Sequence, residues 1–462
     1  MNPSKSVRSL FDVHPDERRI AALMCSYFFL VITSFWILKP IKKTLFIGYY
    51  ADSGFAAFDF HLSASKAELL AKVLNMVVAA VAALAFSTLS RRLRRQQLTY
   101  VFSGFFVVFY GVFAVFLMHP GGLTVWSFYL FGDLFSTLMV ATFFAFLNDS
   151  VSSDAAKRLY GIVGFGGVAG GVFGSSAVAL WIASLSLPEW LGITTLLAGA
   201  IVLIARAAGQ SLPSSARPES ASAFVVQREN AAEAAAGSGS ASSEAPEEFG
   251  SALAGVRHVF GSPYLLSIVA IVGLYELVST LVDFQFTTAM VAFSEDATSR
   301  DQNFATVFAT TNWLSLCVQL FLTSYVMRRF GLATALMVLP CAIALSSMGF
   351  LVAPSLIFGG LLSVADNGFS YSINQSSKEA LYVPTTAQEK YQAKAFIDMF
   401  VQRFAKAVAV GLGLVVTNYF ADVEGVRKLT FFVLPVLGVW AFAAIYAGRR
   451  FRELEERDTK AV

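Results

Sequence analysis

Charge is scarce in this sequence: Asp, Glu, Lys and Arg make up 14% of the 462 residues, against 56% apolar residues that include 44 Phe. So little charge excludes an ordinary soluble protein, because one or two water-facing domains could not hide that much apolar side chain. The net charge of +3 excludes an overall electrostatic case for nucleic-acid binding. Cysteine is limited to Cys25, Cys317 and Cys341, all inside apolar runs and without paired spacing, so neither a disulfide framework nor a zinc site is expected. The four histidines, His14, His61, His119 and His258, form no metal-protease pattern. No P-loop lysine follows a glycine-rich turn. The run from Gly164 to Gly174 matches a dinucleotide fingerprint only by chance, since no strand precedes it. Gly167 with Gly171, and Gly170 with Gly174, instead have the four-residue spacing of close helix packing in a membrane. No bound cofactor is expected.

What is present is a series of apolar runs. A membrane-spanning helix needs about 20 mostly apolar residues, and runs of that kind fall near 20–48, 67–89, 98–118, 123–147, 160–184 and 189–207. A second set lies near 263–284, 304–327, 331–352, 354–374, 395–418 and 429–447. The expectation is an all-α membrane protein of about twelve transmembrane helices in two six-helix halves, residues 1–207 and 251–462. Residues 208–250, rich in Ser, Ala, Glu and Gly, cannot bury enough apolar surface to fold and read as a disordered cytoplasmic linker. Arg18 and Arg19 precede the first run, which lacks a small-residue cleavage site and so reads as a first span rather than a signal peptide.

Arginine and lysine set the orientation. Arg91 to Arg95, Lys157 with Arg158, Arg328 with Arg329, and Arg449 to Arg452 all follow even-numbered spans, which puts both termini in the cytoplasm. The clusters after the second and eighth spans repeat between the halves, as in two-fold transporters of the major facilitator type. In that fold the cargo sits near the midplane, and one half rocks against the other.

An ionisable group at membrane depth costs roughly 2.5 kcal/mol or more and is a functional candidate by default. Lys39, Lys42 and Lys43, in Leu38-Lys-Pro-Ile-Lys-Lys-Thr44, have the i, i+3, i+4 spacing of one helix face and suit a polyanion; alternatively, the span ends at Leu38 and they reach the outer headgroups. Glu276 and Asp283 are two turns apart in the seventh span and could bind a proton or pair with cavity lysines; Asp133 and Asp366 are single acids in the fourth and tenth. The polar stretch from Tyr371 to Lys406 contributes Lys394, Arg403 and Lys406 near the start of the eleventh span as cations for phosphate.

Three segments carry a family resemblance: Ile37-Leu-Lys-Pro-Ile-Lys-Lys-Thr-Leu45, Asp154-Ala-Ala-Lys-Arg-Leu-Tyr160, and Ser377-Lys-Glu-Ala-Leu-Tyr-Val-Pro384 with Ala393-Lys-Ala-Phe-Ile-Asp398. Together they resemble the ATP/ADP translocase family of plastids and intracellular bacteria. The chain looks like a divergent bacterial member, with Lys43 and Ala155 where the family usually has an acid. The resemblance implies that Lys42, Lys378 and Lys394 match positions used for nucleotide phosphates, and that Glu276 matches an acidic position important for transport.

The substrate-binding candidates are thus Lys39, Lys42, Lys157, Lys378, Lys394 and Arg403, with Glu276, Asp283 and Asp366 for coupling. The expected protein is a secondary transporter of a nucleotide or similar phosphorylated anion in a bacterial inner membrane, by ATP/ADP exchange or proton-coupled uptake. It is not an enzyme. Its surround is the lipid bilayer, it has no nucleic-acid partner, and a monomer is the default unit. The alternatives are a carrier of the same fold for another organic anion, and a scaffold or sensor without transport.

Overall fold

A computed structural model describes residues 18–57, 60–150, 153–211, 259, 261–385, 396–419 and 422–461. Nearly all of it is helix. The order is α1 (Arg18–Tyr50), β1 (Phe55–Ala57), β2 (Phe60–Leu62), α2 (Ala64–Arg92), α3 (Arg95–Phe116), α4 (Gly122–Ser150), α5 (Ser153–Trp181) and α6 (Leu187–Ser211). It continues with α7 (Pro263–Phe293), α8 (Ala297–Cys317), α9 (Thr323–Val352), α10 (Leu356–Phe369), α11 (Gln375–Ala380), α12 (Gln402–Tyr419), α13 (Asp422–Lys428) and α14 (Thr430–Ala461).

Among the described residues, nine helical stretches are long and apolar enough to cross a membrane. One of them, Ala297–Val352, holds the eighth and ninth expected spans, separated at Gly331, whose φ of 82° and ψ of 174° break the helix. A residue with a Cβ is strained at such a φ, so glycine is the residue for this reversal. Asp296 caps α8 by accepting from the Ser299 N–H at 2.6 Å, which holds its carboxyl below the usual value. The tenth and eleventh expected spans are interrupted by wider π turns, at Ser370–Asn374 between α10 and α11 and at Ile397–Val401 before α12; a third, Val318–Leu322, joins α8 to α9.

Outer helix faces carry large apolar side chains in the open, including Leu84, Leu123, Leu196, Phe321, Val352 and Phe442. Lipid in place of water removes the cost of that exposure. The sequence reading contained no strands. The short antiparallel hairpin β1–β2 pairs Phe55 with Leu62 and Ala56 with His61, and Gly54 starts it at φ 65°, where an added Cβ would lie 2.8 Å from the Leu62 carbonyl oxygen.

The chain divides into two compact units, Met1–Tyr49 with Leu74–Ser242, and Tyr50–Val73 with Ser243–Val462. In the first, α3 packs against α6 and α4. Interlocked aromatic rings fill the α3–α4 seam, Phe106 meeting Phe131 and Phe135 at centroid distances of 5.2 and 4.9 Å, and Phe113 meeting Phe128 at 5.2 Å. In the second unit α7 is the hub, packed against α10, α12 and α14, while α9 packs against α10 and α14. The Gln285 side-chain amide of α7 donates to the Val426 carbonyl at 2.9 Å and to the Thr430 hydroxyl at 3.0 Å. Helix α6 runs on through Ser211, four residues into the expected linker; residues 212–250 lie outside the described ones.

The glycines of α5 lie directly on the backbone of α1. A Cβ at Gly170 would stand 2.4 Å from the Phe29 carbonyl oxygen and one at Gly174 2.6 Å from that of Thr33, and the Thr33 hydroxyl donates to the Gly170 carbonyl at 3.2 Å. Neither obstacle is a flexible side chain, so a methyl group there must push the helices apart, at a cost of roughly 1–3 kcal/mol. Gly170→Ala should therefore lower the melting temperature of the detergent-purified protein by several degrees. Gly164→Ala, in open space on the same helix, should leave it unchanged or raise it; equal melting temperatures for both variants would show that this contact does not limit stability.

Candidate substrate-binding clusters

In the first unit, α1 does not end at Leu38. It continues through Pro40 to Tyr50, so Lys39, Lys42 and Lys43 lie within a helix of 33 residues, and Lys42 and Lys43 are buried. Lys39 is half-buried, its Nζ 4.5 Å from the Trp36 ring centroid and 5.8 Å from that of Phe35, one turn back on the same helix. Lys42 instead faces α4. It forms an ion pair with Asp133, and its Nζ lies 4.4 Å from the ring centroid of Tyr129. Asn75 of α2 donates to the same carboxylate at 2.5 Å. Lys39 and Lys42, one turn apart on α1, thus meet different surroundings. Lys157 lies on α5, with its side chain outside the described part.

In the second unit the polar groups gather along α7. Glu276 forms an ion pair with Lys406 of α12 at 3.3 Å. One turn on, the Ser279 hydroxyl donates to the buried Asp366 carboxylate of α10 at 2.6 Å. Lys378 of α11 is half-buried with its Nζ 5.0 Å from the ring centroid of Tyr275. Glu276, Asp366, Lys378 and Lys406 therefore converge on adjacent turns of one helix. Arg403 is half-buried on α12, one turn before Lys406. Lys394 lies outside the described residues.

Asp283 is engaged further along α7, in an ion pair with Lys72 of α2, and Thr287 donates to Glu68 at 3.0 Å, one turn before Lys72. Residues 50–73 group with the second unit, so these contacts are internal to it. Sequence reasoning missed Glu68, Lys72 and Asn75. Lys66, Glu68 and Lys72 stand in the first turns of an apolar run and read there as an ordinary polar helix end; a carboxylate and an ammonium at i, i+4 were the available signal. Asn374 was also missed. It is buried in the π turn before Lys378, and among the described residues neither its Oδ1 nor its Nδ2 has a hydrogen-bond partner.

A multi-pass helical bundle with lysines and carboxylates inside its helices is the architecture of a membrane transporter with the major facilitator fold. Solved transporters share the fold: the nucleoside transporter NupG superposes with a TM-score of 0.59 at 13% identity, covering 93% of this chain and 99% of that one, and a D-xylose–proton symporter at 0.60 and 10% identity, covering 94% and 96%. The family model for the TLC ATP/ADP transporters matches residues 121–355, and the chain belongs to this family. Curated relatives include ADP,ATP carrier protein 1 of Chlamydia trachomatis, 23% identical over 96% of this chain and 89% of the relative, and the chloroplastic ADP,ATP carrier protein 1 of Arabidopsis thaliana, 19% identical over 93% and 74%.

The Lys72–Asp283 pair is partly exposed, yet loss of one partner strands a charge among apolar helices, and that costs more than loss of both. Asp283→Leu should lower thermal stability in detergent, and Lys72→Leu combined with Asp283→Leu should recover most of it, as read by fluorescence-detected chromatography after heating. A double variant no more stable than the single one would mean that the pair is not coupled.

Proposed function

We propose that this protein carries nucleotides across a bacterial inner membrane as a secondary transporter, by alternating access. Family membership supports the cargo class. The observation that carries the reading is the set of lysines inside the helices of each unit, Lys42 against α4 and Lys378 with Lys406 along α7. An ammonium group removed from water, as that of Lys42 is, binds phosphate oxygens through charge-assisted bonds far more strongly than an exposed one does. Lys39, Lys42, Lys378 and Arg403 are the proposed phosphate ligands, joined by Lys157 and Lys394 from the motif resemblance. Glu276, Asp283 and Asp366 are the proposed coupling acids.

Two six-helix halves, 1–207 and 251–462, joined by a cytoplasmic linker at 208–250 and with both termini in the cytoplasm, complete the reading. The relatives named as ADP,ATP carriers favour exchange of ATP for ADP over uptake driven by protons alone.

Proteoliposomes containing the purified protein should take up radiolabelled ATP or ADP only when nucleotide is loaded inside. Uptake that follows an imposed pH gradient without internal nucleotide would replace exchange with proton symport, and Glu276→Gln should then remove the gradient dependence. Lys378→Ala should cut uptake about tenfold or more with membrane expression unchanged. Normal uptake by that variant would remove Lys378 from the site.

A further inference from the structure

Lys42 does not wait in the open for an anion. Its side chain is 6% exposed, whereas that of its partner Asp133 is 27% exposed, so Asp133 is the more accessible member of the pair. The ammonium lies in a cradle cut into one face of α4. Tyr129, Gly132 and Asp133 are at i, i+3 and i+4, so their positions line up along that face. The Tyr129 ring lies against the Nζ, and Gly132 makes room for the stem: a Cβ there would come within 2.6 Å of the Lys42 Cδ. The backbone that carries Asp133 is itself fixed, its carbonyl accepting from the hydroxyls of Ser136 at 2.9 Å and Thr137 at 3.1 Å. Asp133 has a second partner independent of Lys42, the side-chain amide of Asn75.

We propose that Asp133 is a stand-in for the cargo phosphate. It neutralises Lys42 in the empty carrier, gives way when a phosphate oxygen takes its place, and is then held by Asn75, so that Asp133 and Asn75 are positioning residues acting through Lys42. The inference rests on the nucleotide-transport reading. A buried ammonium with no anion is costly, and a carboxylate that returns whenever the cargo leaves keeps the cation neutralised in both states. The same competition limits affinity. The phosphate gains only the difference between its own bonds to Lys42 and those it displaces, so that release stays fast.

The exposed edge belongs to the group that must move, and that group has another bond to keep. A purely structural ion pair would need neither. The two readings differ in the sign of a mutational effect. If Asp133 competes with phosphate, removing its charge strengthens nucleotide binding. If it only secures Lys42, removing its charge loosens the cradle and weakens binding.

Nucleotide affinity of the purified full-length protein, by titration calorimetry with ATP and ADP, and turnover of nucleotide exchange in proteoliposomes form the test. Asp133→Asn is expected to bind both nucleotides about tenfold more tightly while its turnover falls. Asn75→Leu, which changes no charge, deprives the displaced carboxylate of its second partner and is expected to raise the KM severalfold with kcat retained. If Asp133→Asn does not accumulate in the membrane, Asn75→Leu decides alone. Unchanged KM in Asn75→Leu, or unchanged or weaker binding in Asp133→Asn, overturns the inference and leaves the transport reading standing. A wild-type protein that binds neither ATP nor ADP overturns both.

Discussion

The constraint on which this structure depends is the cost of holding charge inside helices that face lipid. Without water to solvate them, ammonium and carboxylate groups at this depth persist only against one another, against aromatic faces or against hydrogen-bond donors. Each described lysine that the candidate clusters use obeys that rule: Lys42 against Asp133 and Tyr129, Lys406 against Glu276, Lys378 on Tyr275, Lys39 on Trp36. These contacts also decide which helix faces which. Helix α7 shows it most clearly, because Glu276, Ser279, Asp283, Gln285 and Thr287 tie it to four neighbours, α12, α10, α2 (through both Asp283 and Thr287) and the α13–α14 junction. The apolar residues of α7 fill the space between those ties, but dispersion is similar for many rotational settings of a helix, whereas an ion pair has one.

Backbone geometry has been adjusted around the same groups. The π turns at Ser370–Asn374 and Ile397–Val401 occur just before Lys378 and just before Arg403 and Lys406. A π turn adds one residue to a helical turn, and so rotates everything after it relative to what precedes it. In α10 and α11 that places Asp366 on one side of the change and Lys378 on the other, and both still reach α7. A regular helix would separate these two residues by twelve positions of unbroken 3.6-residue period. The wider turn resets the phase, with the buried Asn374 carboxamide at its end.

Much of the helical architecture was legible in the sequence because the lipid-facing requirement writes it there directly: length and hydropathy locate α1 to α4 and α6 within four residues, whereas α5 and α8 each begin seven residues before the expected span and α7 runs nine past it, and the boundary expected between residues 327 and 331 falls at Gly331. The close-packed glycines of α5 were legible for a related reason, since four-residue spacing of glycine has few other uses in a membrane. The partners of the charged residues were not legible. Periodicity places Lys39, Lys42 and Lys43 on one helix and even on one face, but that Lys42 meets the Asp133 carboxylate and the Tyr129 ring depends on α4, far away in sequence. Lys72 and Glu68 were passed over because near a helix end they look the same whether they face headgroups or α7. The hairpin after Gly54 was missed because six residues in two short strands leave almost no pattern against the apolar background.

The pairing of Lys42 and Lys406 with internal acids also bears on what kind of protein this can be. A site that held bare lysines in a low-dielectric interior would bind a polyanion so tightly that release would limit any cycle. On the proposed site, lysines already satisfied by internal acids or rings would give up those contacts when cargo binds and recover them when it leaves, which would keep the free energies of the loaded and empty forms close. An enzyme benefits from groups that favour a transition state over its bound substrate. A carrier has no transition state of bond making to favour, and needs states of nearly equal free energy on both sides of the membrane. Under the proposed function, the matched acids and lysines of each unit, Lys42 with Asp133 in one and Lys406 with Glu276 in the other, would provide that balance, and it would follow from the same desolvation cost that holds the helices in place.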